Sequence, residues 1–273
     1  MIRDITIGQY YHAESVIHGL DPRTKLVATF FYMISMFCFN RYIGLVVSAI
    51  FLLWVVRLAK IPLGHMVKGL KPVLVILLFS LTANVLFSAG EPLFHWGIIS
   101  ITLAGIKRAI FTGIRLCLLV FGASVVTFTT TPNQLTDGIE KLFQPWKRIH
   151  LPVHEIAMMM SIALRFIPIL LEETDKIMKA QMARGADFET GGLIKKVKNL
   201  LPIIVPLFIS AFRRADDLAM AMDARCYRGG DGRTKMKPLT YKREDYLAYL
   251  ALGLYLVVLF CLVYCMTRLI SMF

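Results

Sequence analysis

The sequence predicts an all-α membrane protein, with about five transmembrane helices and a cytoplasmic block of long crossing helices, and three observations carry that reading. First, 57% of the 273 residues are hydrophobic and the mean hydropathy is +0.63, more apolar surface than an ordinary water-soluble domain hides. Second, the apolar residues gather in uncharged runs, each near or below the roughly 20 residues needed to cross a bilayer. Third, charge is layered. Residues 137–245 carry 33 of the 49 charged side chains, 19 basic and 14 acidic, so this stretch must lie in water or against a protein partner.

Taken in order, the first 25 residues are polar, and no cleavable signal peptide is expected there. The apolar stretch that follows divides at Asn40-Arg41 into Leu26–Asn40 and Tyr42–Val56, two spans of 15 uncharged residues each. Such short arms rely on flanking side chains that snorkel to the interface. Pro72–Gly90, Leu116–Thr136 and Tyr246–Thr267 supply three more spans, whereas Pro92–Ile106, short and punctuated by Gly and Pro, reads as an interfacial or re-entrant stretch. The organisation predicted is a membrane domain of four spans over 1–136, a cytoplasmic domain over 137–245, and a last span within 246–273. Basic residues concentrate in the polar block, the amino-terminal segment and the Arg57–Lys71 loop, 26 against 5 elsewhere. By the positive-inside rule this puts the amino terminus in the cytoplasm and, after five spans, the carboxyl terminus outside.

Within the polar block, Pro168 suits a first helical turn and not a helix interior. The segment from about Val153 is therefore expected to form one helix to Ile167 and another to Arg184. Glu172 with Lys176 and Asp175 with Lys179 give the second a wet face, opposite Leu171, Thr174, Met178 and Met182. Gly185 supplies the stop. A third helix is expected after Pro206, with Phe208, Ala211, Phe212, Ala215, Leu218, Ala219 and Met222 on one stripe and Gly229-Gly230 as its close. The alanines at four-residue spacing would let another helix approach closely.

Two short patterns end two of these helices, Ala183-Arg184-Gly185 and Ala224-Arg225-Cys226, 41 residues apart. A cation in a last turn already complements the helix dipole and needs no partner. Repetition favours more: in both, an Ala leaves the guanidinium unshadowed, free to enter a groove and form a bidentate pair. Methionine is the second signal, with Met158, Met159, Met160, Met178, Met182, Met220 and Met222 inside one stretch. Core packing accounts for such residues; so does a deformable docking surface for several partners.

Other chemistries find little support. The net charge of +13 is spread over loops and interleaved with acids, as a cytoplasmic membrane face requires, and does not point to nucleic acid. Five cysteines, mostly in apolar segments, have no metal-ligand spacing. His150 and His154 are separated by Pro152 and lack a third ligand. Gly64–Gly69 has the spacing of half a phosphate loop but continues Leu70-Lys71 where Lys-Ser/Thr is required. A membrane-embedded enzyme, such as a lipid-modifying transferase, would need paired polar residues near the bilayer surface, and none stand out. No cofactor, metal or catalytic residue is expected in this chain.

Over nearly its whole length the sequence resembles the transmembrane T component of energy-coupling factor transporters, the vitamin and metal importers of the ABC superfamily. The resemblance is carried by Leu20-Asp21-Pro22-Arg23-Thr24-Lys25-Leu26, by Thr131-Pro132 through Leu142, by Leu164-Arg165-Phe166-Ile167-Pro168, and by the stretches Ala183–Phe188 and Ala224–Gly230. It implies that Ala183, Arg184, Gly185 and Ala224, Arg225, Cys226 end coupling helices that insert into two ATPase subunits, Cys226 standing where Gly or Ser is usual. ATP and magnesium would be held by those partners. It implies also a separate substrate-binding membrane S component, for which Met158, Met159, Met178 and Met182 form the expected docking face, and a prokaryotic plasma membrane. The segments Ile7–Tyr11 and Ser15–His18 look more like T components shared among substrates than like those dedicated to cobalt or nickel.

Overall fold

The computed structural model describes residues 10–87, 92–96, 99–149, 152–186, 188, 193–230, 236 and 238–271. The chain is all-α, as its composition predicts. Its helices are α1 (Val16–Gly19), α2 (Pro22–Cys38), α3 (Tyr42–Ala59), α4 (Leu63–Leu70), α5 (Leu74–Phe87), α6 (Leu103–Thr129), α7 (Pro132–Phe143), α8 (Val153–Ala183), α9 (Leu193–Ala224) and α10 (Arg243–Ser271). The stretch read as interfacial or re-entrant holds a small antiparallel pair, β1 (Pro92–Trp96) with β2 (Ile99–Thr102), Trp96 opposite Ile99. Aromatic and β-branched residues there suit extended backbone.

Among the described residues five helical stretches are long and apolar enough to cross a membrane: Tyr42–Ala59, Gly64–Leu86, Leu103–Thr129, Val153–Ala183 and Arg243–Tyr264. The set differs from the predicted spans at two places. α2 has only 17 residues, and α8, expected in the polar block, has a long apolar stretch of its own. The glycines of Gly64–Gly69 lie in helix, not in a phosphate-cradling loop.

One compact unit comprises Gly8–Gly138 with Leu239–Phe273. Tyr32, Leu45, Leu52, Val56, Leu118, Phe128, Tyr255 and Leu259 are among its buried core, and the Phe51 and Tyr255 rings stack at 4.3 Å. The Tyr255 hydroxyl sits within 2.8 Å of both Ser35 Oγ and Ser48 Oγ, so α2, α3 and α10 share one buried polar knot. The division at Asn40-Arg41 is a real helix break. Arg115, a charge in the middle of α6, donates to the Phe39 carbonyl at 2.6 Å and to Asn40 Oδ1 at 2.7 Å, satisfying the open carboxyl end of α2.

The predicted span Leu116–Thr136 is corrected: α6 starts at Leu103 and ends at Thr129, and a new helix starts at Pro132. Thr131 and Gln134 form a capping box, Gln134 N–H donating to Thr131 Oγ1 at 3.3 Å and Thr131 N–H to Gln134 Oε1 at 3.1 Å. With Pro132 at the first helical position, the chain is set to restart there.

The amino-terminal ends of α2 and α10 are fastened by charge. Asp21 caps α2 by accepting from Arg23 N–H at 2.9 Å and pairs with the Arg23 guanidinium at 2.7 Å. Asp245, 1% exposed, accepts from Lys242 N–H and from Asp21 N–H, both at 2.8 Å. One carboxylate thereby closes the first turn of its own helix and pins the start of another. Buried Lys25 donates to the carbonyls of Thr129 at 2.9 Å and His18 at 3.1 Å, tying in the end of α6.

The second unit takes in residues 139–238. Here the proline reading is corrected twice: α8 runs unbroken through Pro168, and α9 begins at Leu193 and runs through Pro202 and Pro206. A proline in a helix removes one N–H and frees the carbonyl four residues back. Pro206 thus frees the carbonyl of Pro202, and Gln181 of α8 donates its side-chain amide to it at 3.3 Å. The predicted stripe on α9 is corrected too. Ala211, Leu218 and Met222 are half-buried with Leu207, but Phe208, Phe212, Ala215 and Ala219 are exposed.

Candidate functional site

The two Ala-Arg motifs are the same structural object. At the end of α8, Ala186 N–H reaches back to the Gln181 carbonyl at 3.0 Å and Gly185 N–H to Met182 O at 3.0 Å, with Gly185 at φ +88°. At the end of α9, Tyr227 N–H reaches Met222 O at 3.0 Å and Cys226 N–H reaches Asp223 O at 2.9 Å, with Cys226 at φ +55°. Both are six-to-one, five-to-two closures around a left-handed residue, the Schellman geometry. Arg is the cap residue in each, one past the last helical Ala, and the residue after it turns left-handed. Glycine does so freely; Cys226 does so against its own Cβ. The second helix therefore closes at Cys226, not at Gly229-Gly230 as expected, although Gly229 also has φ +88°.

Arg184 and Arg225 are exposed, and neither guanidinium has a partner among the described residues. Ala183 and Ala224 beside them are exposed as well, so nothing shadows the cations.

What holds these ends in place is an antiparallel helix pair fastened at three levels. Gln181 meets the Pro202 carbonyl, Glu173 pairs with Arg214 at 3.2 Å, and the His154 ring lies so close over Gly230 that a methyl group there would overlap it. The three contacts keep one register, the α8 number falling as the α9 number rises. Arg184 therefore sits at one end of the pair and Arg225 at the other, separated by about 35 Å at 1.5 Å per residue. His154 also bonds Glu140 at 3.0 Å, which ties the start of α8 to the end of α7. His150 lies outside the described residues.

The methionines fall in two places. Met158 and Met159 lie near the start of α8, with Met159 at 57% exposure; Met178 and Met182 lie about 30 Å away along the helix, with Met182 at 49%. Met158 and Met178 are half-buried. A broader apolar face that sequence reasoning missed lies on α9, where Leu201, Ile204, Val205, Phe208 and Phe212 are each more than half exposed and follow the i, i+3, i+4, i+7 spacing of one helix stripe. The stripe was legible from Leu201 onward, but the prolines hid that its helix had already begun. Likewise Gln181, one turn before a helix end, gave no sign of facing a proline-freed carbonyl.

Residues 13–236 match the model of the CbiQ family, described as cobalt transport protein. Proteins described as energy-coupling factor transporter transmembrane protein EcfT are similar over almost the full length. That of Acidaminococcus fermentans is 51% identical over 262 residues, 96% of this chain and 96% of that protein. That of Ruminiclostridium cellulolyticum is 55% identical over 247 residues, 90% and 92% of the two chains. That of Bacillus subtilis is 45% identical over 246 residues, 90% and 93%.

Proposed function

The chain belongs to the CbiQ family of transport proteins, as an EcfT-like transmembrane component of an energy-coupling factor transporter, and we propose that it is the mechanical link of that transporter. In this reading two ABC-type ATPase subunits hold the two ends of the α8–α9 pair by Arg184 and Arg225. ATP and magnesium stay with those subunits. When ATP binding and hydrolysis change the spacing of the ATPases, the ends move with them, and the pair levers a separate S component, which carries the vitamin, between orientations. The apolar side chains of α8, Met158, Met159, Met178 and Met182 among them, serve that membrane partner. This chain does no bond chemistry.

The observation that carries the reading is the repeated helix end: one cap, and one guanidinium unpartnered among the described residues, at each end of a fastened antiparallel pair. A cation serving only its own helix dipole gives no reason for the motif to recur with the same left-handed residue after it. Because a truncated interfacial Arg leaves its partner unpaired, each Ala variant is expected to cost about 2–5 kcal/mol of ATPase binding. Two anchors on one rigid body also raise each other's effective concentration, so one loss leaves assembly measurable and two abolish it. The test is ATPase pull-down with vitamin uptake for Arg184→Ala, Arg225→Ala and the double variant in membranes where each is inserted. Full coupled uptake by the double variant would return both residues to the dipole role.

The same reading places 137–245 in the cytoplasm of a prokaryotic cell, the amino terminus inside and the carboxyl terminus outside, with α2 as a crossing helix and α8 not. A reporter after Phe273 that proved cytoplasmic would overturn this. The cobalt description of the family favours one other cargo, a cobalt or nickel ion delivered by a dedicated partner. Identifying the membrane protein that co-purifies decides between them.

A further inference from the structure

Among α1, α2, α3, α6 and α10 of the membrane unit lies a cavity of about 270 Å³. Its walls are apolar over most of their extent, and it reaches the outer surface, since Trp54 and Leu247, 50% and 64% exposed, line it together with buried Leu52 and Leu252. Polar atoms gather at one end, where Thr24, Lys25, Thr129 and Glu244 belong to the first turns of α2 and α10 and the last turn of α6. Two of its lining side chains have buried hydroxyls with no hydrogen-bond partner, Thr24 at 1% exposure and Tyr32 at 4%. Lys25 has a third donor to give, because its ammonium carries three protons and donates to two carbonyls.

A buried hydroxyl without a partner is costly, so Thr24, beside the spare donor of Lys25, asks for an occupant with an oxygen to offer at that end of the cavity. Water suits that polar end but not the apolar remainder, since a buried water needs two to four polar partners and apolar cavities of about 150 Å³ stay dry and accept apolar ligands. The outer surface that the cavity reaches faces acyl chains in a membrane. On the topology proposed above, in which α2 crosses the membrane, Thr24 and Lys25 at its first turn lie at the level of the ester carbonyls of a bilayer; Tyr32 is eight residues deeper, about 12 Å along the helix.

We infer that this cavity is a binding site for one acyl chain of a membrane phospholipid, its ester carbonyl accepting from the Thr24 hydroxyl and the free Lys25 donor and its chain running past Ala28 and Leu52 toward Tyr32. The bound chain fills the space between α2, α3 and α10 and is held longer than bulk lipid.

The probe is a phosphatidylglycerol with a photoreactive diazirine on one acyl chain, in nanodiscs with the full-length protein, and cross-linked residues are mapped by mass spectrometry. Label is expected on Leu52 and Leu252, each 5% exposed, as well as on outward-facing Phe30, which is 61% exposed and serves as the internal reference. Ala248→Phe, which fills the cavity, should lower the Leu52 label at least about ten-fold and leave Phe30 unchanged. Thr24→Val should lower it about five-fold, and an ether-linked probe with no carbonyl should lose about as much on the wild-type protein. Label confined to Phe30 and its like would overturn the site, and so would a Leu52 label indifferent to Ala248→Phe. A Leu52 label unchanged in both Thr24→Val and the ether probe would overturn the polar anchor. If Ala248→Phe fails to insert, the wild-type map and the ether probe still decide.

Discussion

The membrane unit and the α8–α9 pair spend their side chains in opposite ways. In the first, several charged and hydroxyl groups are turned inward onto partners: Asp245 serves two backbone donors, Lys25 two carbonyls, and Tyr255 two serines. In the second, among the described residues, Ala157 alone is buried on α8 and Ile203 alone on α9, while Met159, Met182, Phe208, Phe212 and two arginines are exposed. Buried polar groups with partners stabilise a fold; exposed and unpartnered ones are left for a complex. The contrast teaches that a change in the membrane unit should be felt as folding, and a change on the pair as assembly.

The strongest test of that division is Asp245→Ala. Its carboxylate is 1% exposed and its loss strands two backbone donors at the starts of α2 and α10. A cost of about 3–6 kcal/mol is expected, from two hydrogen bonds to a charged acceptor at about 1.5–3 kcal/mol each. Thermal unfolding in detergent measures it. An Arg184→Ala, Arg225→Ala double variant run beside it should unfold with the wild type, and equal losses in the two would erase the comparison.

Next in size is Gly230→Leu, which drives a side chain into the His154 ring. Overpacking of this kind costs about 1–3 kcal/mol. The damage should stay within the pair: limited proteolysis should open the segment after Arg225 while the membrane unit keeps its protected core. Protection lost throughout the chain would show that the pair is no separate element.

Much of this was legible in the sequence, and what was not has a common cause. Composition gave the class, and the Asn40-Arg41 break was readable because Asn-Arg interrupts an apolar run. Arg115 hid the true start of α6, since a rule that counts uncharged residues has no way to know that a guanidinium folds onto the carbonyls of a neighbouring turn. Pro168 and Pro206 fall under a local rule, and the local rule loses to tertiary packing: Gln181 from another helix repairs the carbonyl that Pro206 frees. The Thr131-to-Gln134 capping box is present in the letters, inside an uncharged run that hides it. For the two motifs, Gly185 announced its stop, but a cysteine does not announce a left-handed backbone.

A smaller effect is expected from the exposed methionines. Met159→Lys or Met182→Lys places charge on a surface proposed for an apolar membrane partner, and a loss of about 1–2 kcal/mol of S-component binding should follow. Unfolding temperature and ATPase pull-down should not move. The two sites lie about 35 Å apart along α8. An effect at one and not at the other would assign the docking surface to that end of the helix.

The smallest effect tests the comparison between the two helix ends themselves. Gly185 and Cys226 hold the same place in the same cap, at φ +88° and φ +55°. For an L-residue the left-handed region costs about 1–2 kcal/mol because Cβ crowds the following carbonyl, and glycine escapes that cost. Glycine loses more backbone freedom on folding, which offsets roughly half of the gain. Cys226→Gly is therefore expected to stabilise the end of α9 by about 0.5–1 kcal/mol, and Gly185→Ala to weaken the end of α8 by as much, since nothing lies within 4 Å of the added methyl and only conformation is at stake. Amide hydrogen exchange over the last turn of each helix reads this directly, slower at 222–227 in the first variant and faster at 181–186 in the second. Because Arg225 then leaves a stiffer helix end, ATPase binding in Cys226→Gly should hold or rise slightly. Faster exchange at 222–227 would show that Cys226 keeps its place through a contact of its sulfur and not despite its backbone.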